Sequence, residues 1–175
     1  DLAERFISSG DTEQANHEAA LQIAQQSDII VFACGEHTMQ SGEAGSRAHL
    51  RIPDNQLALL KELASLNKPI ITIVISGRPL VLTEVERYSD AMIEAWFPGT
   101  EGGHALTDIL YGRYNPSGRL SMGMPYTEGQ LPMTYAHLST GRPENHSQHV
   151  GRFLSKYSEN SGKSVDRGTC CLVSS

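Results

Sequence analysis

The sequence predicts an α/β fold, an open and mostly parallel sheet sandwiched by helices. Three observations point to it. The runs IIVFAC, PIITIVIS and AMIEAWF are short, continuous, apolar and rich in β-branched residues, as parallel strands covered on both faces tend to be. Segments with helical periodicity alternate with those runs, most of the connections are short, and that alternation is the signature of a parallel sheet flanked by helices. The length of 175 residues, with 39% hydrophobic and 19% charged residues, suits a domain that buries roughly 70% of its extended-chain surface.

Asp11 or Thr12 can cap a first helix that runs to about Gln26, with Ala15, Ala19, Leu21, Ile23 and Ala24 supplying much of its apolar face. The first strand is expected over residues 29–34. A long connection, residues 35–53, leads to an amphipathic helix over residues 53–66, in which Leu57, Leu60, Leu63 and Ala64 recur at helical spacing before Asn67, Lys68 and Pro69 end it. The second strand is expected over 70–75, and Gly77, Arg78 and Pro79 break it. LVLTEVERY reads as a short helix, 91–95 as a third strand, and HALTDILYG as a helix closed by Gly112. All three strands should be parallel, adjacent and buried on both faces, with Trp96 in the wall near the base of the long connection. NPSGRLSMGMP is a candidate for one more short strand, and the tail beyond Tyr157 has no periodicity and little to bury.

Composition and motifs exclude several functions. A net charge of −6 without a Lys/Arg cluster argues against nucleic acid, because phosphate binding needs a concentrated basic surface. No apolar run approaches the roughly 20 residues that span a bilayer, so no membrane partner is expected. There is no GxSxG elbow, no GxxxxGK[ST] phosphate loop and no GxGxxG turn after the first strand. HEAAL at His17 lacks the second histidine of a zinc-protease helix, and the three cysteines, Cys34, Cys170 and Cys171, match no zinc spacing. No metal or cofactor is called for. Cys34 reads as a small buried hydrophobe. CLVS has the look of a prenylation box but Ser175 follows it, and Asn145 heads a glycosylation sequon. Gly99, Gly102 and Gly103 precede a helix, where close backbone packing is favoured over an anion site because Glu101 lies among them.

What remains is carboxylate chemistry on the long connection. Such loops in α/β units usually run about 2–6 residues, and long ones at the carboxyl ends of strands are where these folds place ligands and catalytic groups. Glu36 and Glu43 both lie there, with Ser46 and Arg47 close by. A glycosidase needs one carboxyl group to protonate the leaving oxygen and a second across the sugar, and enclosing a carboxyl raises its pKa towards the range the acid requires. Glu36, one residue beyond Gly35, is the less mobile of the two and could instead hold the loop. Arg47 could pair with a carboxylate and orient it, or form a surface ion pair.

Four blocks, GEAGSRAHLRIPDNQLALLKEL, KPIITIVISGRPL, AMIEAWFPGTEGGHALTDILYGRYNPSGRLSMGMP and GQLPMTYAHLSTGRP, resemble successive blocks of glycoside hydrolase family 3, in its β-glucosidase branch. The resemblance is to the family's C-terminal α/β-sandwich domain and covers about residues 14 to 157 in order. WFPGTEGG followed by NPSGRLSMGMP is its most specific part. It implies a partial sandwich domain over residues 1–157 and a non-matching, poorly ordered tail over 158–175, with the family's terminal strand lost and a sheet edge left uncovered.

The resemblance further implies a retaining, exo-acting hydrolysis of terminal β-D-glucosyl residues, on a β-glucoside or oligosaccharide substrate. The family's nucleophile lies on a preceding (β/α)8 barrel, so that barrel is the implied partner and the chain alone is expected to be inactive. The match of GEAGSR assigns the acid/base role to Glu43, with Glu36 as runner-up and Arg47 and Ser46 as substrate-binding or loop-positioning residues. DLAERFISSGD lacks the pattern of a secretory leader and reads as the interior of a longer chain; the resemblance favours a periplasmic or secreted location over a cytoplasmic one. The alternative function is a non-catalytic carbohydrate-binding or scaffolding module with the same sandwich.

Overall fold

The computed structural model describes residues 10–37, 40–120, 122–131 and 169–171. Helix α1 (Gly10–Gln26) leads into strand β1 (Ile30–Gly35), and the long connection then reaches α2 (Asp54–Ala64). Strand β2 (Ile70–Ile75), the short helix α3 (Thr83–Arg87), strand β3 (Ala91–Glu94) and helix α4 (Gly102–Leu110) follow. A 3₁₀ turn (Glu128–Gln130) and a short strand β4 (Thr169–Cys171) complete the described elements. These helices and the first three strands fall within a few residues of the sequence expectation. Pro53 sits at the N-cap of α2, where its missing N–H leaves no bond unmade. Beyond the C-terminus of α2, Asn67 adopts φ 53°, a left-handed conformation that asparagine tolerates better than most residues.

The sheet order is β1-β2-β3-β4 and every pairing is parallel. Ile30 faces Ile70 across the first pair and Ile71 faces Ala91 across the second. All strands therefore end on one rim, which carries residues 36–37, 40–53, 76–82 and 95–101. The 3₁₀ turn and β4 were not expected. In β4, Thr169 pairs with Met92 and Cys171 with Glu94, so the backbone of residues 169–171 lies along the β3 edge. Cys170 and Cys171 thus lie in a strand, while Asn145 and most of the tail fall outside the described residues. NPSGRLSMGMP forms no strand among its described residues.

One face of the sheet presents Ile30, Phe32, Cys34, Ile70, Val74 and Met92 to a core closed by Ala24 of α1, Leu60 and Leu63 of α2, and Leu80, Leu82 and Val85 around α3. Burial of each such side chain contributes roughly 1.5–3 kcal/mol. The opposite face packs Ile73 and Ile93 under Leu106, Ile109 and Leu110 of α4. Burial on both faces holds for the middle of the sheet but not for β1, where Val31 is 50% exposed and Ala33 is exposed too. β1 is the edge strand, and none of the α4 side chains that cover β2 and β3 is packed on its outer face. Lys68 ties the end of α1 down by donating from Nζ to the carbonyls of Ala24 (2.9 Å), Gln25 (2.6 Å) and Ser27, a cation where the helix dipole is negative. No helix among the described residues is long and apolar enough to cross a membrane.

Candidate active site

The long connection leaves β1 at a position that admits only glycine. Gly35 has φ +138°, and a Cβ there would lie 1.9 Å from the carbonyl oxygen of Ile75. With no side chain in the way, β1 stays against β2 for one more residue, and the Glu36 N–H donates to that same oxygen at 2.9 Å. The Gly35 N–H is taken by Oε1 of Gln56 in the first turn of α2 (2.8 Å). Between them, these bonds fix where Glu36 stands.

The Glu36 side chain has no exposure and is enclosed by donors. Arg47 Nη1 reaches its Oε1 at 2.9 Å, Arg78 Nε lies 3.2 Å from the same oxygen in ion-pair contact, and the Gly77 N–H donates to Oε2 at 3.1 Å. A buried carboxylate is tolerated only when paired in this way. Both arginines continue into the loop backbone. Arg47 Nη2 donates to the carbonyl of Arg51 at 3.0 Å, and Arg78 Nη2 donates to those of Gln40 and Gly45, each at 2.8 Å. Gly77 is needed for the same closeness, since a Cβ on it would meet Ser41 Oγ at 2.1 Å and the Phe97 ring at 2.7 Å. Trp96, with φ 50°, packs against the main core, so Phe97 is the aromatic neighbour of the loop base.

Glu43 is placed quite differently. It lies in a turn closed by the Gly45 N–H on the Gly42 carbonyl at 3.1 Å, between Gly42 (φ 104°) and Ala44 (φ 60°). Its side chain is exposed and has no hydrogen-bond or ion-pair partner among the described residues. The two carbonyls that Arg78 holds, of Gln40 and Gly45, flank it on either side. Ser46 is exposed and makes no hydrogen bond among the described residues. Farther along, Glu128 accepts from the Leu50 N–H at 2.9 Å and lies against His49 and Arg51, and the Leu50 bond is the main cause that lowers the Glu128 pKa. A cavity of about 310 Å³ opens beside that clasp, between Arg51, Leu57, Val85 and Glu128; neither Glu36 nor Glu43 lines it.

A third carboxyl group on this rim, Glu94, was missed in the sequence. It ends β3 and is 1% exposed, and burial pushes its pKa up to about 7, with Glu36 adding to the rise and hydrogen bonds from Ser76 and Trp96 opposing it. Cys34, two residues before Glu36, is buried and its thiol is pushed up to about 12 by desolvation and then by Glu94, which makes it unreactive. Arg78 was read only as part of a strand break. The signal for Glu94 was a charged residue inside the otherwise apolar run AMIEAWF; ISGRPL gave no comparable signal for Arg78, whose partners are distant in sequence. Of the three glycines expected to pack closely, only Gly102 does, since a Cβ on it would meet Pro98 at 2.5 Å, whereas a Cβ on Gly99 or Gly103 would meet nothing within 4 Å.

Comparison with known proteins places this rim in context. The glycosyl hydrolase family 3 C-terminal domain matches residues 3–165. A periplasmic β-glucosidase of Salmonella typhimurium is 42% identical over 144 residues, which make up 82% of this chain and 19% of that protein. A β-xylosidase of Formosa agariphila is 34% identical over 116 residues, 66% of this chain and 16% of that one. Among solved structures, the β-glucosidase from Listeria innocua in complex with gluconolactone superimposes with a TM-score of 0.75 at 42% identity, over 87% of this chain and 21% of its own. The family 3 β-glucosidase of Bifidobacterium adolescentis gives 0.61 at 28% identity, over 69% of this chain and 17% of its own. The chain thus spans about a fifth of the length of these relatives.

Proposed function

The chain belongs to glycoside hydrolase family 3, as its C-terminal α/β domain, and from that membership we propose that it supplies the acid/base half of a retaining, exo-acting β-glucosidase site. Glu43 is the acid/base residue in this reading. It protonates the glycosidic oxygen as the bond breaks and later activates the water that releases the sugar. The nucleophilic carboxylate belongs to a (β/α)8 barrel outside the chain, about 5–5.5 Å from the acid/base carboxyl when the domains are together, as retention requires. The substrate is a terminal β-D-glucosyl residue of a glucoside or oligosaccharide, and no cofactor takes part.

One observation carries the reading: the two glutamates of the loop divide the work. Glu36 has its oxygens engaged by Arg47, Arg78 and the Gly77 N–H. Glu43 is exposed, with both oxygens open. An acid must bring an oxygen to the leaving group, which Glu43 can do and Glu36 cannot without abandoning its arginines.

The test is made in the full-length enzyme. Glu43→Gln should retain substrate binding and lose roughly 10²–10⁴-fold in rate on substrates with poor leaving groups, with a much smaller first-step loss on aryl glucosides of very acidic phenols. Azide should rescue Glu43→Ala and give a glycosyl azide of retained configuration. If the leaving-group dependence and the azide rescue follow Glu36 instead, Glu43 is not the acid. If neither glutamate shows them, a non-catalytic carbohydrate-binding module is the better account of this domain.

A further inference from the structure

Beside the loop anchor, two acceptors face one hydroxyl hydrogen. Ser76 is fully buried, and its Oγ lies 2.9 Å from the Arg78 carbonyl oxygen and 3.1 Å from Glu94 Oε1. A serine hydroxyl has a single hydrogen and can satisfy only one of them. The Trp96 N–H also points at Glu94 Oε1, from 3.2 Å, and Glu94 Oε2 is buried with no hydrogen-bond partner among the described residues. An ionised Glu94 would therefore hold its charge on one long N–H bond and a hydroxyl that Arg78 also needs. A neutral Glu94 removes the competition: its own O–H donates to Ser76 Oγ, and the Ser76 hydrogen goes to the Arg78 carbonyl.

We propose that Glu94 is a positioning residue for the loop that bears Glu43. Neutral, it leaves the Ser76 hydroxyl to the Arg78 carbonyl and so holds the turn from which Arg78 grips Gln40 and Gly45. Ionised, it draws the hydroxyl to itself and loosens that turn. The charged and titratable groups around it come from each neighbouring element. Cys34 of β1 flanks it across Val74, Glu36 follows the end of β1, Cys171 is its register partner on β4, and Arg78 and Arg47 lie on Glu36. Of these, Glu36 acts on Glu94 as a like charge, and burial raises the pKa of Glu94 to about 7, inside the working range of most enzymes. The inference rests on Glu43 being the acid/base residue only for its bearing on catalysis; the coupling itself is a property of the loop.

Amide hydrogen exchange in the full-length enzyme tests it without reference to activity. The peptide covering residues 40–50 is followed from pH 5.5 to 8.5, and its rates are corrected for intrinsic base catalysis. Wild type should lose protection by roughly fivefold through an inflection near neutral pH, the equivalent of one neutral hydrogen bond. Glu94→Gln, which keeps the shape and cannot ionise, should stay protected with no inflection, and Ser76→Ala should be loosened equally at every pH. His37→Asn should keep the inflection, since the proposed relay runs through Glu94, Ser76 and Arg78 alone. A flat wild-type profile overturns the proposal, and so does an inflection that vanishes in His37→Asn or survives in Glu94→Gln. The wild-type and His37→Asn profiles decide the matter even where a Glu94 variant does not fold. Because the readout is exchange, failure here leaves the leaving-group test of Glu43 untouched, and failure of that test leaves this one standing.

Discussion

Replacing Glu36 by glutamine should destabilise the domain far more than the same change at Glu43. The carboxylate of Glu36 is fully buried and holds Arg47 at 2.9 Å, Arg78 at 3.2 Å and the Gly77 N–H at 3.1 Å. Glutamine keeps one acceptor but presents an NH₂ group to a ring of donors, and it removes the charge that the two guanidinium groups face. Hydrogen bonds to charged groups contribute about 1.5–3 kcal/mol each, and breaking one side of a buried pair typically costs about 3–5 kcal/mol. The arginine side chains keep 18% and 24% exposure, so water recovers part of the loss and the lower end, about 3 kcal/mol, is expected. With a urea dependence near 2 kcal/mol per molar for a domain of this size, the unfolding midpoint should fall by about 1.5 M. Trp96, the only tryptophan in the chain, reports the transition by fluorescence. Glu43→Gln, with no partner to lose, should stay within about 0.5 kcal/mol of wild type. A midpoint shift below about 0.5 M for Glu36→Gln, or equal shifts for the two variants, would refute the anchor.

Two further outcomes follow from the same rim. Gly35→Ala should abolish folding, because its Cβ would sit 1.9 Å from the Ile75 oxygen at φ +138°; recovery of soluble, cooperatively melting protein would count against the register at the end of β1. Stability should also depend on Glu94. Its folded pKa of about 7 lies above the ordinary 4.5, so the stabilising proton is fully retained below about pH 4.5 and lost as pH rises through 7. That amounts to about 3 kcal/mol by pH 8 at roughly 1.4 kcal/mol per pKa unit, and urea titrations of Glu94→Gln should lack this alkaline decline.

Much of this was legible in the sequence, and the parts that were not have a common cause. IIVFAC, IITIVI and AMIE declare themselves as strands because consecutive β-branched and apolar residues suit a covered sheet, and Pro53 and Asn67 mark the boundaries of α2 through their own backbone limits. The loop was visible as an excess of chain between two such elements. The open face of β1 was not, because Val31 and Ala33 read as core residues until the strand is known to be at an edge. Nor did β4 show itself: three residues supply too short a period, and TCC pairs through its backbone. Arg47 lies close enough to Glu36 for the pairing to be read as one alternative. Arg78 joins the same carboxylate from the connection after β2, and local sequence does not encode that meeting. Glu94 is the instructive omission, because a glutamate within an apolar strand has to be either paired or neutral.

Arg78 offers the sharpest separation of positioning from chemistry. In the role proposed for it, Glu43 cannot use its own oxygens to fix its place, so its neighbours have to fix it. The turn around Glu43 includes Ala44 at φ 60°, a conformation that costs about 1–2 kcal/mol outside glycine. Arg78 clamps it from below through the carbonyls of Gln40 and Gly45, at 2.8 Å each. Arg78→Met keeps the apolar stem and removes both clamps together with one of Glu36's cations. With the clamps gone, Glu43 can drift by about 1 Å, and misplacement on that scale can lower a rate by roughly 10²-fold. Under the role proposed for Glu43, the loss in the full-length protein should fall on kcat for every substrate alike, because the proposed acid itself is retained. That flat dependence on leaving group is the opposite of the steep one expected for Glu43→Gln. If Arg78→Met instead loses rate mainly on poor leaving groups, or azide rescues it, then the arginine takes part in proton transfer and the division of labour between Glu36 and Glu43 would have to be redrawn around it.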